Sequence, residues 1–224
     1  PRRPVLYFGG NGELAAGRMN TLMMQNTDSL LKGYHFMMVD YPGYGNSEGE
    51  PTEQSILAMA DAAMSYALSR ADVVPERVVI AGYSLGTGPA AYLAAKNKSA
   101  GLVLMAPFYN GEELVADYVA SMLNASDIIH RVAALFARNK YPNNRHAETT
   151  QVPALVIAGL GDTLVPFHHA ERLAALYQNG RLVMLEGDRR MKEATALYQQ
   201  AAALTPADAM ERLDIEMAKA ELED

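Results

Sequence analysis

Ser84 is the residue best placed to do covalent chemistry, at the centre of Gly82-Tyr83-Ser84-Leu85-Gly86. The apolar run Val78-Val79-Ile80-Ala81 before it reads as a buried strand. The run Pro89-Ala90-Ala91-Tyr92-Leu93-Ala94-Ala95 after it reads as a helix packed closely on a sheet. A turn that sharp forces the serine into a strained backbone conformation, and a side chain at either flanking glycine would strike its neighbours. In return the hydroxyl stands clear of the sheet, ready to attack a carbonyl carbon. The N–H of Leu85, at the positive end of the helix, then faces the oxyanion that forms. The plainer alternative is a serine that caps a helix between two glycines.

A serine nucleophile needs a base, an acid that orients the base, and a second oxyanion donor. Asp162 follows the apolar run Ala154-Leu155-Val156-Ile157-Ala158-Gly159, and parallel strands present their carboxyl ends on one edge, so it shares an edge with Ser84. Its simpler role is an Asx-turn before the next helix. The second donor is expected from Gly9-Gly10-Asn11-Gly12, which empties from the strand of residues 4–8. The N–H of Asn11, or of its neighbour Gly12, fits that role, unless the turn merely leads into a helix.

These residues require a frame. The 224 residues suit one large α/β domain, half of them hydrophobic and a fifth charged. Strand-like runs alternate with helical ones: strands at 4–8, 36–40, 78–81, 101–106, 152–159 and 181–186, with a Thr52-capped helix over 53–69. The expected architecture is a mostly parallel sheet of about six strands covered by helices on both faces. Residues 107–151 lack a strand-like run and read as a helical insertion, with short helices near 112–123 and 127–136, forming a cap; Asn144-Arg145-His146 reads as a polar loop. Domain boundaries follow as a core over 1–189 with the insertion inside it, then a helical tail over 190–224. That tail carries apolar residues at helical spacing, among them Leu197, Leu204, Leu213 and Met217.

Composition excludes several function classes. A net charge of −7 argues against nucleic acid and anionic membrane surfaces as partners. With no cysteine there is no disulfide, thiolate metal site or cysteine nucleophile, which suits a reducing compartment and a cytoplasmic location. No run reaches the length of a membrane span. The chain opens at Pro1-Arg2-Arg3-Pro4 and enters a strand almost at once, as a trimmed piece would, so an upstream anchor or signal stays open. No cofactor or metal is expected: no His/Asp cluster has ligand spacing in the sequence, and the glycines around Ser84 lack a phosphate-loop lysine.

Four motifs occur in one order: Tyr7-Phe8-Gly9-Gly10-Asn11-Gly12, Val39-Asp40-Tyr41-Pro42-Gly43-Tyr44-Gly45-Asn46-Ser47, Gly82-Tyr83-Ser84-Leu85-Gly86-Thr87-Gly88 and Gly159-Leu160-Gly161-Asp162-Thr163-Leu164-Val165-Pro166. On these the chain resembles the α/β-hydrolase superfamily, in its branch of small esterases, depalmitoylating thioesterases and serine aminopeptidases. The resemblance runs to about residue 187. It implies Ser84 as nucleophile, Asp162 as triad acid, the N–H groups of Leu85 and Asn11 as oxyanion hole, and a small-molecule or acyl substrate carrying an ester, thioester or amide.

Two departures accompany it. The chain starts at what resembles the family's third strand, without the first two. The family's catalytic histidine follows the last strand, where this chain reads Glu186-Gly187-Asp188-Arg189-Arg190-Met191-Lys192, and no histidine occurs after His169. Of the five histidines, His35 and His146 precede strands and so sit at the wrong end of the sheet, and His130 lies in the insertion. His168 and His169 stand six and seven residues past Asp162, at the start of a helix. The family often has a non-catalytic histidine at the second of these, and either residue more simply packs on its helix; His168, closer to the loop, is the better candidate for the base. Two readings stay open: a serine hydrolase working through an acyl-enzyme on Ser84, or a catalytically impaired member of the fold that binds rather than turns over.

Overall fold

The computed structural model describes residues 3–24, 34–121 and 138–185. Six strands form one parallel sheet: β1 (Arg3–Phe8), β2 (Tyr34–Met38), β3 (Val79–Tyr83), β4 (Gly101–Met105), β5 (Ala154–Gly159) and β6 (Gly180–Leu185), in the order β2-β1-β3-β4-β5-β6. The chain reverses its direction of travel across the sheet after β2, so β1 and β3 are neighbours, with Phe8 opposite Gly82. The loops leaving β1 and β3 therefore meet on one edge, which is where an α/β sheet places its ligands.

The helices are α1 (Ala15–Met24), α2 (Glu53–Ser69), α3 (Thr87–Lys96), α4 (Gly111–Ser121), α5 (Asn143–Thr149) and α6 (Phe167–Ala174). Thr52 begins α2 as expected: its Oγ1 accepts the Ser55 N–H at 3.1 Å, and Ser55 Oγ returns a bond to the Thr52 N–H. On one face of the sheet Leu6, Phe8, Ile80, Leu102, Leu104 and Val156 form a core with Ile56, Ala60 and Met64 of α2 and Ala90 and Leu93 of α3. The other face buries Val5, Tyr7, Val79, Val103, Leu155 and Ile157, and Arg18 of α1 lies over the Tyr7 ring. The interior strands β3, β4 and β5 bury both their faces and are apolar without alternation, whereas the edge strands β2 and β6 are only partly buried.

The expected sheet is thus present, and two details differ from the sequence reading. Asn144-Arg145-His146 lie inside a helix, α5, not a loop. It packs on α3, and Tyr141 just before it presses on Gly88 so closely that a Cβ there would lie 2.6 Å from the ring. His35 lies within β2 rather than before it, still at the amino end of the strand. Phe108, Leu114, Tyr141 and Ala147 all belong to the main core, so both described ends of the 107–151 stretch are built into the body of the sheet. The expected helix at 127–136, His130 and the tail over 190–224 lie outside the described residues. No helix among the described residues is long and apolar enough to cross a membrane.

Candidate active site

The geometry of the turn follows from its glycines. Ser84 has φ 49°, a left-handed conformation that costs a non-glycine residue about 1–2 kcal/mol. Gly82 and Gly86 make it possible. A Cβ on Gly82 would lie 2.8 Å from Ala90 Cβ, and one on Gly86 would run into Phe8 O and stand 2.7 Å from Gly9 O. The elbow is therefore pressed against α3 on one side and against the end of β1 on the other. Thr87, wholly buried, donates its hydroxyl to Ser84 O at 2.6 Å and holds the 3₁₀ turn Ser84–Gly86 as it enters α3.

The glycine turn at residues 9–12 is fixed from several directions. Tyr41, fully buried, donates its hydroxyl to Gly9 O at 2.6 Å. Tyr44 donates to Asn11 Oδ1 and stacks edge-on against Tyr41. The Tyr83 ring lies where a Cβ on Gly10 would come within 2.9 Å. Asp40 Oδ1 accepts the Ala15 N–H at 2.7 Å and so caps α1 from a different loop. The tyrosines of the Tyr41-Pro42-Gly43-Tyr44 loop thus act as struts for the turn beside the elbow, a role their sequence context did not disclose.

Asp162 lies three residues past the end of β5. Its Oδ1 accepts the N–H groups of Leu164 and Val165, each at 2.9 Å, so the Asx-turn is made. One carboxylate oxygen can make that turn while the other orients a base, and the two roles do not compete. β4 separates β3 from β5, so the strands that lead to Ser84 and to Asp162 lie about two strand spacings, or about 10 Å, apart. Burial, and then the Asp162 and Glu13 carboxylates, push the Tyr83 hydroxyl above its ordinary pKa, so both carboxylates act electrostatically on the residue before Ser84.

The histidines are engaged elsewhere. His169 is wholly buried; its Nδ1 accepts the Tyr109 N–H at 3.2 Å and its Nε2 lies 2.8 Å from Asp117 Oδ2. His168, exposed, stacks on His169 and brings its Nε2 within 3.1 Å of the same oxygen. Among the described residues no hydrogen bond joins either histidine to Ser84 or Asp162. Desolvation, then the neighbouring His168, hold His169 below its ordinary pKa, so it is neutral near pH 7. His146 packs edge-on against Tyr92, and desolvation lowers its pKa too.

Asp117, His168 and His169 bring three ligand-type atoms within 4.8 Å of one another, a cluster assembled between α4 and α6 that sequence spacing did not reveal. The bond from Tyr109 N–H decides against a metal there. With Nδ1 accepting, a neutral imidazole carries its hydrogen on Nε2, the atom a metal would need bare. His169 donates that hydrogen to Asp117 instead.

The apolar residues that open the 107–151 stretch serve the core and its margin. Phe108 and Leu114 are fully buried in the core, and Tyr109 lies under the Arg172 guanidinium at 3.9 Å. Exposed apolar side chains occur instead beside the site residues themselves: Leu14 after the glycine turn, Tyr83 before the serine, and Leu160 and Leu164 flanking Asp162.

Residues 4–148 match a family model described as alpha/beta hydrolase fold. An uncharacterized protein of Mycobacterium tuberculosis is 35% identical over 157 residues, 69% of this chain and 52% of its own. Lysophosphatidylserine lipase ABHD12 of Danio rerio is 29% identical over 178 residues, 75% of this chain and 46% of its own. The solved structure of a Pyrococcus furiosus esterase superposes with a TM-score of 0.70 at 16% identity, over 94% of this chain and 81% of that one, a likeness of fold. The chain spans about half the length of these curated relatives.

Proposed function

The chain belongs to the alpha/beta hydrolase family, and on that premise we propose that it is a serine hydrolase acting on carboxylic esters, thioesters or amides through an acyl-enzyme on Ser84. The observation that carries the reading is the backbone of Ser84. A left-handed φ between two glycines costs stability, and a glycine would relieve it; a serine there has a use only if its hydroxyl does.

In this mechanism Ser84 Oγ bonds to the carbonyl carbon and gives its proton to a base. The carbonyl oxygen becomes an oxyanion facing the N–H groups of Leu85 and Asn11. Its collapse breaks the bond to the alcohol, thiol or amine, which leaves with that proton. Water then cleaves the acyl-enzyme, releasing the acid and restoring the serine. His168 is the base this reading offers, since it is exposed and next to the acid loop; to serve, its ring must exchange Asp117 for Asp162. Leu14, Tyr83, Leu160 and Leu164 favour an apolar group on the substrate, in keeping with the lipase and esterase among the similar proteins.

A second reading has its own support. Both histidines near the acid are held by Asp117, and this favours a hydrolase fold that binds without turnover. A series of p-nitrophenyl esters from acetate to palmitate separates the two. The first reading expects release of nitrophenol that is abolished in Ser84→Ala and rises with chain length over the shorter esters. Equal rates for both proteins favour the second.

A further inference from the structure

Glu13 is the charged group closest to the glycine turn, and its bonds are unusual for a residue that merely starts a helix. Its Oε2 accepts the Gly10 N–H at 2.8 Å and the Tyr7 hydroxyl at 3.2 Å. Its own N–H donates to Gly10 O at 3.1 Å, so one side chain and its backbone occupy both polar groups of Gly10. Arg18 Nε–H bonds its Oε1, and the guanidinium lies 5.7 Å over the Tyr7 ring. Tyr7 is buried, and burial with the Glu13 charge keeps its hydroxyl protonated and donating. A Cβ on Gly9 would stand 2.9 Å from Glu13 Oε2, so the turn is glycine in part to let this carboxylate in.

A carboxylate beside an oxyanion hole is unfavourable in itself, since it repels the charge that develops there. Arg18 removes that objection by balancing it. What remains is a constraint: the Gly10 N–H is withdrawn from the site, and the next N–H along the chain is that of Asn11, whose side chain Tyr44 already holds.

We propose that Glu13, neutralised by Arg18 and braced by Tyr7, is a positioning residue that ties down Gly10 and thereby aims the Asn11 N–H at the oxyanion beside Ser84. This rests on the serine-hydrolase reading. It keeps the Gly10 N–H out of the site and leaves the donor role with Asn11.

The test uses the whole chain and a fluorophosphonate probe, following both the rate and the final stoichiometry of labelling in native protein, Glu13→Ala and Glu13→Gln. The Gly10 amide is followed in parallel by ¹⁵N NMR and hydrogen exchange. Glu13→Ala is expected to reach the native stoichiometry but about 10- to 100-fold more slowly, the loss expected from misplacing a donor by an ångström or so. Glu13→Gln keeps an acceptor for the Gly10 N–H and is expected within about fivefold of native. The Gly10 amide loses protection in Glu13→Ala only. A native rate in Glu13→Ala overturns the proposal, as does a reduced stoichiometry at an unchanged rate, which makes Glu13 a folding residue. A native chain that labels no more than Ser84→Ala overturns the hydrolase reading itself and the positioning role with it, an outcome distinct from slow labelling.

Discussion

At Ser84 and His169 the same physics gives opposite results. Ser84 is held in a strained conformation and partly open, whereas His169 is wholly buried with both ring nitrogens bonded. The groups facing His169 are Asp117 and Glu113 of α4, and His168 of its own helix. Its lowered pKa has a consequence for stability. Above its ordinary value of 6.5 both folded and unfolded chains carry it neutral, and its contribution is fully present. As pH falls, the unfolded chain binds the proton first, and stability drops until pH has passed the folded value. His169→Gln can accept from Tyr109 and donate to Asp117 without titrating. Urea unfolding across about pH 7 to about pH 5 is expected to show native stability falling more steeply than that of His169→Gln. Parallel curves would refute this.

Where elements meet, Gly86, at the join between β1 and the elbow, has the least room for a side chain among the described glycines. Gly86 meets the backbone of Phe8 and Gly9, which no rotamer change can relieve, so added bulk must pry β1 from β3. Gly86→Ala is therefore expected to cost about 3 kcal/mol in chemical denaturation, the upper end of ordinary overpacking. A loss under about 1 kcal/mol would mean that the two strands part easily. The elbow and acid loop were legible in the sequence because they depend on local facts: β-branched apolar runs, glycines at fixed offsets, and the rule that parallel strands end on one edge. α5 was not legible. It has seven residues, it buries few of them, and it follows Pro142, so helical periodicity has no length over which to show.

Over the whole molecule, sequence spacing and spatial grouping part company. The parallel sheet and the placement of Ser84, Asp162 and the glycine turn at the carboxyl ends of its strands follow from alternating strands and helices, which the sequence displays, whereas the strand order is seen only in the fold. The Asp117 cluster does not, because Asp117 lies 52 residues before His169 and only packing between α4 and α6 brings them together. The tyrosine struts are likewise contacts between loops, set by where β1 and β2 end. Phe108 and Leu114 belong to the core because their stretch folds back onto the sheet.

The central claim is that the strain at Ser84 serves an activated nucleophile, and labelling with a fluorophosphonate tests it most directly. The native chain is expected to take up one probe per molecule, Ser84→Ala none, and Asp162→Ala to label at least about 100-fold more slowly, since an unoriented base loses most of its effect. Labelling of Ser84→Ala equal to that of the native chain, or no labelling of either, would contradict the claim and leave the fold as a binding scaffold.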